Sequence, residues 1–139
     1  MVYVDTSVLV ALFTNEATAE RIANWIAEET RSLVSGDWCV TEFASALSLK
    51  QRTSQITPRQ SNAAWKVFSQ FCEGHLRLLP LDREVFSQAA QLVRNSKNSL
   101  RAGDALHLAL ALRVKTAAFF TLYLRLAESA KQSKLPVIL

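Results

Sequence analysis

Three carboxylates in this chain stand where a carboxylate is costly, which makes them its strongest candidates for chemistry. Asp5 follows Val2, Tyr3 and Val4, a short apolar run rich in β-branched residues that reads as a buried strand. Glu42 shares a helical face with Cys39, Ala46 and Leu49, in line with an apolar stripe. Asp104 lies in RAGDALHLALAL, a helix apolar almost all round that should be buried, with Leu100, Leu108 and Ala111 on its own face. An isolated buried carboxylate costs on the order of several kcal/mol unless it is paired or metal-bound.

Each acid has a plain explanation when taken alone. Glu42 suits a first helical turn, where the dipole favours an acid. Asp104 can pair with Arg101 or with the helix start near Gly103. Yet all three fall at or near the start of a helix, and crowded carboxylates repel one another unless a cation compensates. An all-oxygen set without a His or Cys cluster suits Mg²⁺ or Mn²⁺ rather than zinc. A hard divalent ion beside a cleft is equipped for phosphodiester hydrolysis, where it activates water and stabilises charge on the transition state.

The elements that would position these acids follow from periodicity and punctuation. Residues 2–4 read as a strand, with Asp5 or Thr6 capping the helix that follows. Residues 17–29 have the helical period, 32–35 read as a short strand, and 40–53 as a helix. Thr57 and Pro58 form a cap and first turn, with Ala64, Val67, Phe68 and Phe71 inward and Gly74 as the stop. A strand over 75–81, a helix capped by Asp82 and a polar loop over 94–99 come next. The apolar helix over 102–114, a strand over 117–120, a helix over 124–131 and a strand over 136–139 complete the chain. Strands separated by helices predict an α/β fold: a central parallel sheet of four to five strands, with right-handed crossovers placing helices on both faces. Ligands of such sheets bind beyond the carboxyl ends of the strands. Asp5, as the last residue of the first strand, would surface there.

The chain's 139 residues fit one domain over 1–139, half of them hydrophobic, and only three Gly and three Pro argue for dense regular structure. Cys39 and Cys72 match no metal or redox spacing and read as buried free thiols of a reducing compartment. No apolar stretch approaches the roughly 18 residues of a membrane span, and no basic segment precedes Asp5 as in a signal peptide. A soluble cytoplasmic protein is expected. A net charge of +4 and a pI of about 9.4 are compatible with a polyanionic partner such as nucleic acid.

The motifs around the acids carry a family resemblance along essentially the full length. VDTSVL, TEFASAL and above all RAGDALHLALAL resemble the three acidic motifs of PIN-domain ribonucleases, within that group the VapC-type toxins of bacterial toxin–antitoxin modules. The resemblance implies a PIN-like three-layer α/β/α fold and a hydrolase that cuts RNA with Mg²⁺ or Mn²⁺. It makes Asp5, Glu42 and Asp104 the catalytic metal ligands, with Thr6, Ser7 and Thr121 in support. It also implies an RNA substrate, a cognate antitoxin protein and a homodimer, with Trp25, Ile26, Trp65 and Phe68 offering apolar helix surface. One position departs. The family usually carries a fourth acid in a Thr-x-Asp-x-x-Leu pattern, whereas TLYLRLAESA places Tyr123 there, with Thr121, Leu126 and Glu128 keeping the register. A phenol, with a pKa near 10, is a poor ligand for Mg²⁺, so one metal would be held less firmly or a second one lost.

Other residues read more plainly. His107, three residues after Asp104, could join it at a metal, but the resemblance implies that it packs or supports a ligand, and His75 has no partner in sequence. Trp25, Trp38 and Trp65 interleave with apolar stripes and suit core or partner contacts. Lys50, Arg52, Arg59, Arg94, Lys97 and Arg101 could line an RNA path, though each is also an ordinary solvated charge. Two readings compete with a nuclease: a catalytically weakened PIN-fold binding module, and a phosphotransferase of the haloacid-dehalogenase type. The latter wants a second Asp two residues after the first, where Ser7 stands.

Overall fold

In the computed structural model, which describes residues 1–138, Val2–Val4 form β1 at the centre of a five-stranded sheet. The other strands are β2 (Leu33–Gly36), β3 (Leu76–Leu79), β4 (Ala118–Phe120) and β5 (Val137–Ile138), in the order β3-β2-β1-β4-β5. All neighbours pair in parallel, with Val2 opposite both Leu33 and Ala118. β5 is shorter than the strand expected over 136–139, and Leu139 lies outside the described residues.

Seven α-helices fill the crossovers: α1 (Thr6–Phe13), α2 (Ala19–Glu28), α3 (Trp38–Arg52), α4 (Pro58–Gly74), α5 (Arg83–Arg94), α6 (Ala102–Arg113) and α7 (Leu124–Gln132). Strand residues alternate between two cores, as the pleat requires. Val2, Val4, Leu33, Ala118 and Phe120 meet Leu9, Ile22, Phe43 and Phe68 of α1 to α4. On the other face, Tyr3, Val34 and Phe119 meet Val85, Ala89, Leu108 and Leu126 of α5 to α7. This is a three-layer α/β/α fold with a five-stranded parallel sheet.

Local signals do what their chemistry dictates. Thr57 and Gln60 make a reciprocal capping box at α4, with Pro58 in the first turn, and Asp82 accepts from the Val85 N–H to cap α5. Several expectations need correcting, among them Val67 of α4, which is exposed rather than inward, and Cys72, which is only partly buried. The loop after α5 contains a 3₁₀ turn, Ser96–Asn98, because Asn95 caps it and Ser99 turns left-handed at φ 51°. Phe68 is core rather than a partner surface, stacked on Phe43 at 4.0 Å. The buried line of α3 is Cys39, Phe43 and Leu47, so Glu42 sits beside that stripe rather than in it, and Leu49 is exposed.

Candidate active site

β1 stops at Val4, and Asp5 becomes the N-cap of α1: its backbone stays extended while the carboxylate accepts from the Ser7 N–H at 3.1 Å. It is therefore the cap after the strand, not the strand's last residue. Both oxygens are engaged, Oδ1 also by the Ser7 hydroxyl (2.5 Å) and Oδ2 by the Thr121 hydroxyl (2.9 Å). Ser7 Oγ in turn accepts from the Leu122 N–H at 3.0 Å, and Thr121 Oγ1 from the Tyr123 N–H at 3.1 Å. Asp5 is thus clamped between the ends of β1 and β4. Burial is complete, and it pushes the Asp5 pKa up to about 6, with His107 and the two hydroxyls opposing that rise.

Glu42 projects from α3 into the same region. Its Oε2 accepts from the Thr6 hydroxyl at 2.5 Å and lies 2.5 Å from His107 Nε2. Burial tends to raise its pKa, but the contacts to His107 and Thr6 prevail and hold it below the ordinary carboxylate value. α6 comes close to Glu42 at Gly103, where an added Cβ would displace Glu42 Oε1 and stand 3.0 Å from Trp38 Nε1. That indole N–H is buried beside the cleft with no hydrogen-bond acceptor.

Asp104, in the first turn of α6, is half-buried rather than buried, and forms no ion pair with Arg101 among the described residues. Burial first, and the charge of Glu42 second, push its pKa up. The three acids line one cleft of about 390 Å³ with Thr6, Ser7, Trp38, His107 and Tyr123. Larger hollows elsewhere, of about 480 and 550 Å³, gather no more than one carboxylate each. Tyr123 stands at the rim, 53% exposed, and its phenol pKa is raised by burial and then by Asp5, Asp104 and Glu42. The ring therefore shares the field of all three acids and does not pack into the core.

The donor set fits a hard divalent ion, since every carboxylate offers oxygen and the cleft is open enough for water. Among the described residues no three His, Cys, Asp or Glu side chains already converge into a metal-binding group. Mg²⁺ tolerates this, because it keeps several waters and takes only one or two carboxylates from the protein.

His107, expected to pack or to support a ligand, packs in the core and also reaches the Glu42 carboxylate. It is buried, touches Thr6 and Glu42 through Nε2, and meets Tyr3 through Nδ1. The signal was a polar ring three places after Asp104 in an otherwise apolar helix. Of the cations considered for RNA, Lys50 is committed to Glu16 at 2.8 Å and Arg52 to the Ser48 hydroxyl at 2.6 Å. Arg101 remains beside the acids, close enough to lower the Asp104 pKa slightly.

Solved structures with the same fold include Mycobacterium tuberculosis VapC20, described as a Sarcin-Ricin loop cleaving toxin: 18% identity, TM-score 0.74, covering 93% of this chain and 95% of that one. FitAB bound to an IR36 DNA fragment is 20% identical, with TM-score 0.71 over 99% of this chain and 94% of that one. FitAcB from Neisseria gonorrhoeae is 19% identical, with TM-score 0.70 over 100% and 97%. No curated protein matches the sequence. At these identities the likeness speaks to the fold, but the PIN domain family model matches residues 2–132, from the first strand through the last helix. The chain belongs to the PIN domain family.

Proposed function

We propose that this chain is a divalent-cation-dependent endoribonuclease and the toxin of a toxin–antitoxin pair. The observation that carries the reading is that Asp5, Glu42 and Asp104 all line one cleft at the carboxyl end of the central strand, within reach of a hydrated ion rather than already gathered around one. These three residues would hold Mg²⁺ or Mn²⁺, which when bound supplies charge stabilisation to a phosphodiester and makes water more acidic. Asp5, clamped by Ser7 and Thr121, is the rigid member. Asp104, half-buried where Asp5 is buried with both oxygens engaged, is the carboxylate freer to accept the proton of the attacking water. Arg101 at the rim offers a contact for backbone phosphate. VapC20 and the FitAB complex, being a toxin and a DNA-bound assembly of the same fold, support a toxin working with a partner protein. Exposed Leu49, Trp65 and Val67 give α3 and α4 apolar surface for that partner or for a second copy. No helix among the described residues is long and apolar enough to cross a membrane.

Purified protein should cut RNA with Mg²⁺ or Mn²⁺ and stop when EDTA is added. Tight RNA or antitoxin binding without any cleavage would favour the binding-module reading, which Tyr123 at the rim supports. That residue gives a second expectation. Tyr123→Asp adds an anionic oxygen at an exposed position already within the field of the three acids. Mg²⁺ affinity should rise several-fold by calorimetry, and cleavage at limiting Mg²⁺ should quicken accordingly. Equal affinity in the two proteins would remove position 123 from the metal site.

A further inference from the structure

Tyr3 is wholly buried in β1, its ring stacked on Phe119 at 5.3 Å and 6°, so core packing fixes where its hydroxyl stands. That oxygen accepts the Gly36 N–H at 3.0 Å and lies 2.8 Å from His107 Nδ1. The phenol has one proton to give. Ser35 Oγ is buried with no complete hydrogen bond of its own, and its effect on the phenol is that of a donor, which lowers the Tyr3 pKa rather than taking its proton. The proton therefore points to Nδ1, and burial, by raising the Tyr3 pKa, keeps it on the phenol. With Nδ1 accepting, the imidazole carries its own proton on Nε2, facing Glu42 Oε2 at 2.5 Å with Thr6 Oγ1 at 3.1 Å. The opposite tautomer would turn a lone pair on the carboxylate and leave the Tyr3 proton without an acceptor.

We infer that Tyr3 and His107 are positioning residues that reach from the sheet interior to the cleft. Tyr3 sets the tautomer of His107, and the resulting Nε2–H holds Glu42 at one place in the cleft. Glu42 comes from a half-buried site on α3 with a flexible side chain, and among the described residues its Oε2 is held by two groups alone, the Thr6 hydroxyl and His107 Nε2. Orienting partners of this kind change metal affinity or activity by roughly 10- to 100-fold when removed. The inference rests on Glu42 belonging to the working site, but its first test does not.

The chain has only two histidines, and His75 is exposed, so imidazole nitrogen spectra of labelled protein assign easily. Long-range ¹H–¹⁵N correlation at neutral pH should show His107 as a single Nε2–H tautomer. In Tyr3→Phe, which keeps the stacked ring, that pattern should be lost. Mn²⁺ titration should show several-fold weaker binding in Tyr3→Phe and about 10-fold or greater weakening in His107→Leu. His107→Gln, whose amide can still donate to Glu42, should recover most of the loss. A protonated Nδ1 in the unaltered protein, or an unchanged tautomer in Tyr3→Phe, overturns the inference. So does equal Mn²⁺ affinity in His107→Leu and His107→Gln, which also serves if Tyr3→Phe fails to fold. If the protein cuts no RNA, the nuclease reading fails while the tautomer measurement still decides this one.

Discussion

Asp104→Asn should lower RNA cleavage by more than about 100-fold while leaving the melting temperature unchanged or slightly higher. The two halves of that expectation have separate causes. Asparagine keeps the shape of the side chain at the head of α6 but loses the anionic oxygen that a hard cation needs and the basicity that takes a proton from water. Folding loses nothing comparable, because Asp104 makes no ion pair among the described residues and its pKa is raised by burial and by Glu42. A raised carboxylate pKa means that its charge is unfavourable in the folded state, so neutralising it relieves repulsion. Cleavage rates and thermal melts of the same preparations check both halves. Full activity in Asp104→Asn would remove this residue from the chemistry.

The sequence made the frame legible because its signals are local. Thr57, Pro58 and Asp82 act on residues three or four places away, and the strand-to-helix alternation that implies a parallel sheet is read within single elements. The candidate acids were legible for the same reason, each being conspicuous against its own apolar neighbours. The wiring between them was not. Tyr3 meets His107 across 104 positions, and His107 meets Glu42 across 65, and neither hydrogen bond leaves a periodic trace in the chain. Gly103 read as an ordinary helix-start glycine, although a side chain there would displace the Glu42 carboxylate from its place. The turn after α1 was also silent, since Asn15 takes the left-handed conformation, φ 54°, where a glycine would have announced it.

The second large effect concerns Asp5 and pH. Its pKa is about 6 in the folded protein against an ordinary 3.8, with burial as the main cause. The folded state thus binds this proton more tightly than the unfolded chain does. The associated stability is fully present below pH 3.8 and is lost as pH rises through 6, amounting to about 3 kcal/mol. Above pH 6 the fold carries a buried anion, and a divalent cation would compensate it. Added Mn²⁺ should therefore raise the melting temperature by several degrees at pH 7.5 and by little at pH 5, where it competes with the proton. Asp5→Asn should melt higher than the unaltered protein at pH 7.5 without metal and lose the response to Mn²⁺. Equal Mn²⁺ responses at the two pH values would show that Asp5 does not share its site with the cation.

The clamp on Asp5 also bears on biosynthesis. β1 is translated first, yet it lies at the centre of the sheet, and the hydroxyl that holds Asp5 Oδ2 arrives 116 residues later. Glu42 and Asp104 are both made before Thr121 and Leu122, so a nascent chain carries every acid before it carries the framework around the first. The entropy of closing such a loop grows only slowly with its length, but folding slows where contacts lie this far apart in sequence. A translation product interrupted before β4 holds all three carboxylates but lacks the Thr121 hydroxyl and the Leu122 N–H that hold Asp5 and Ser7. Asp5 gains its Thr121 contact only when β4 docks beside β1.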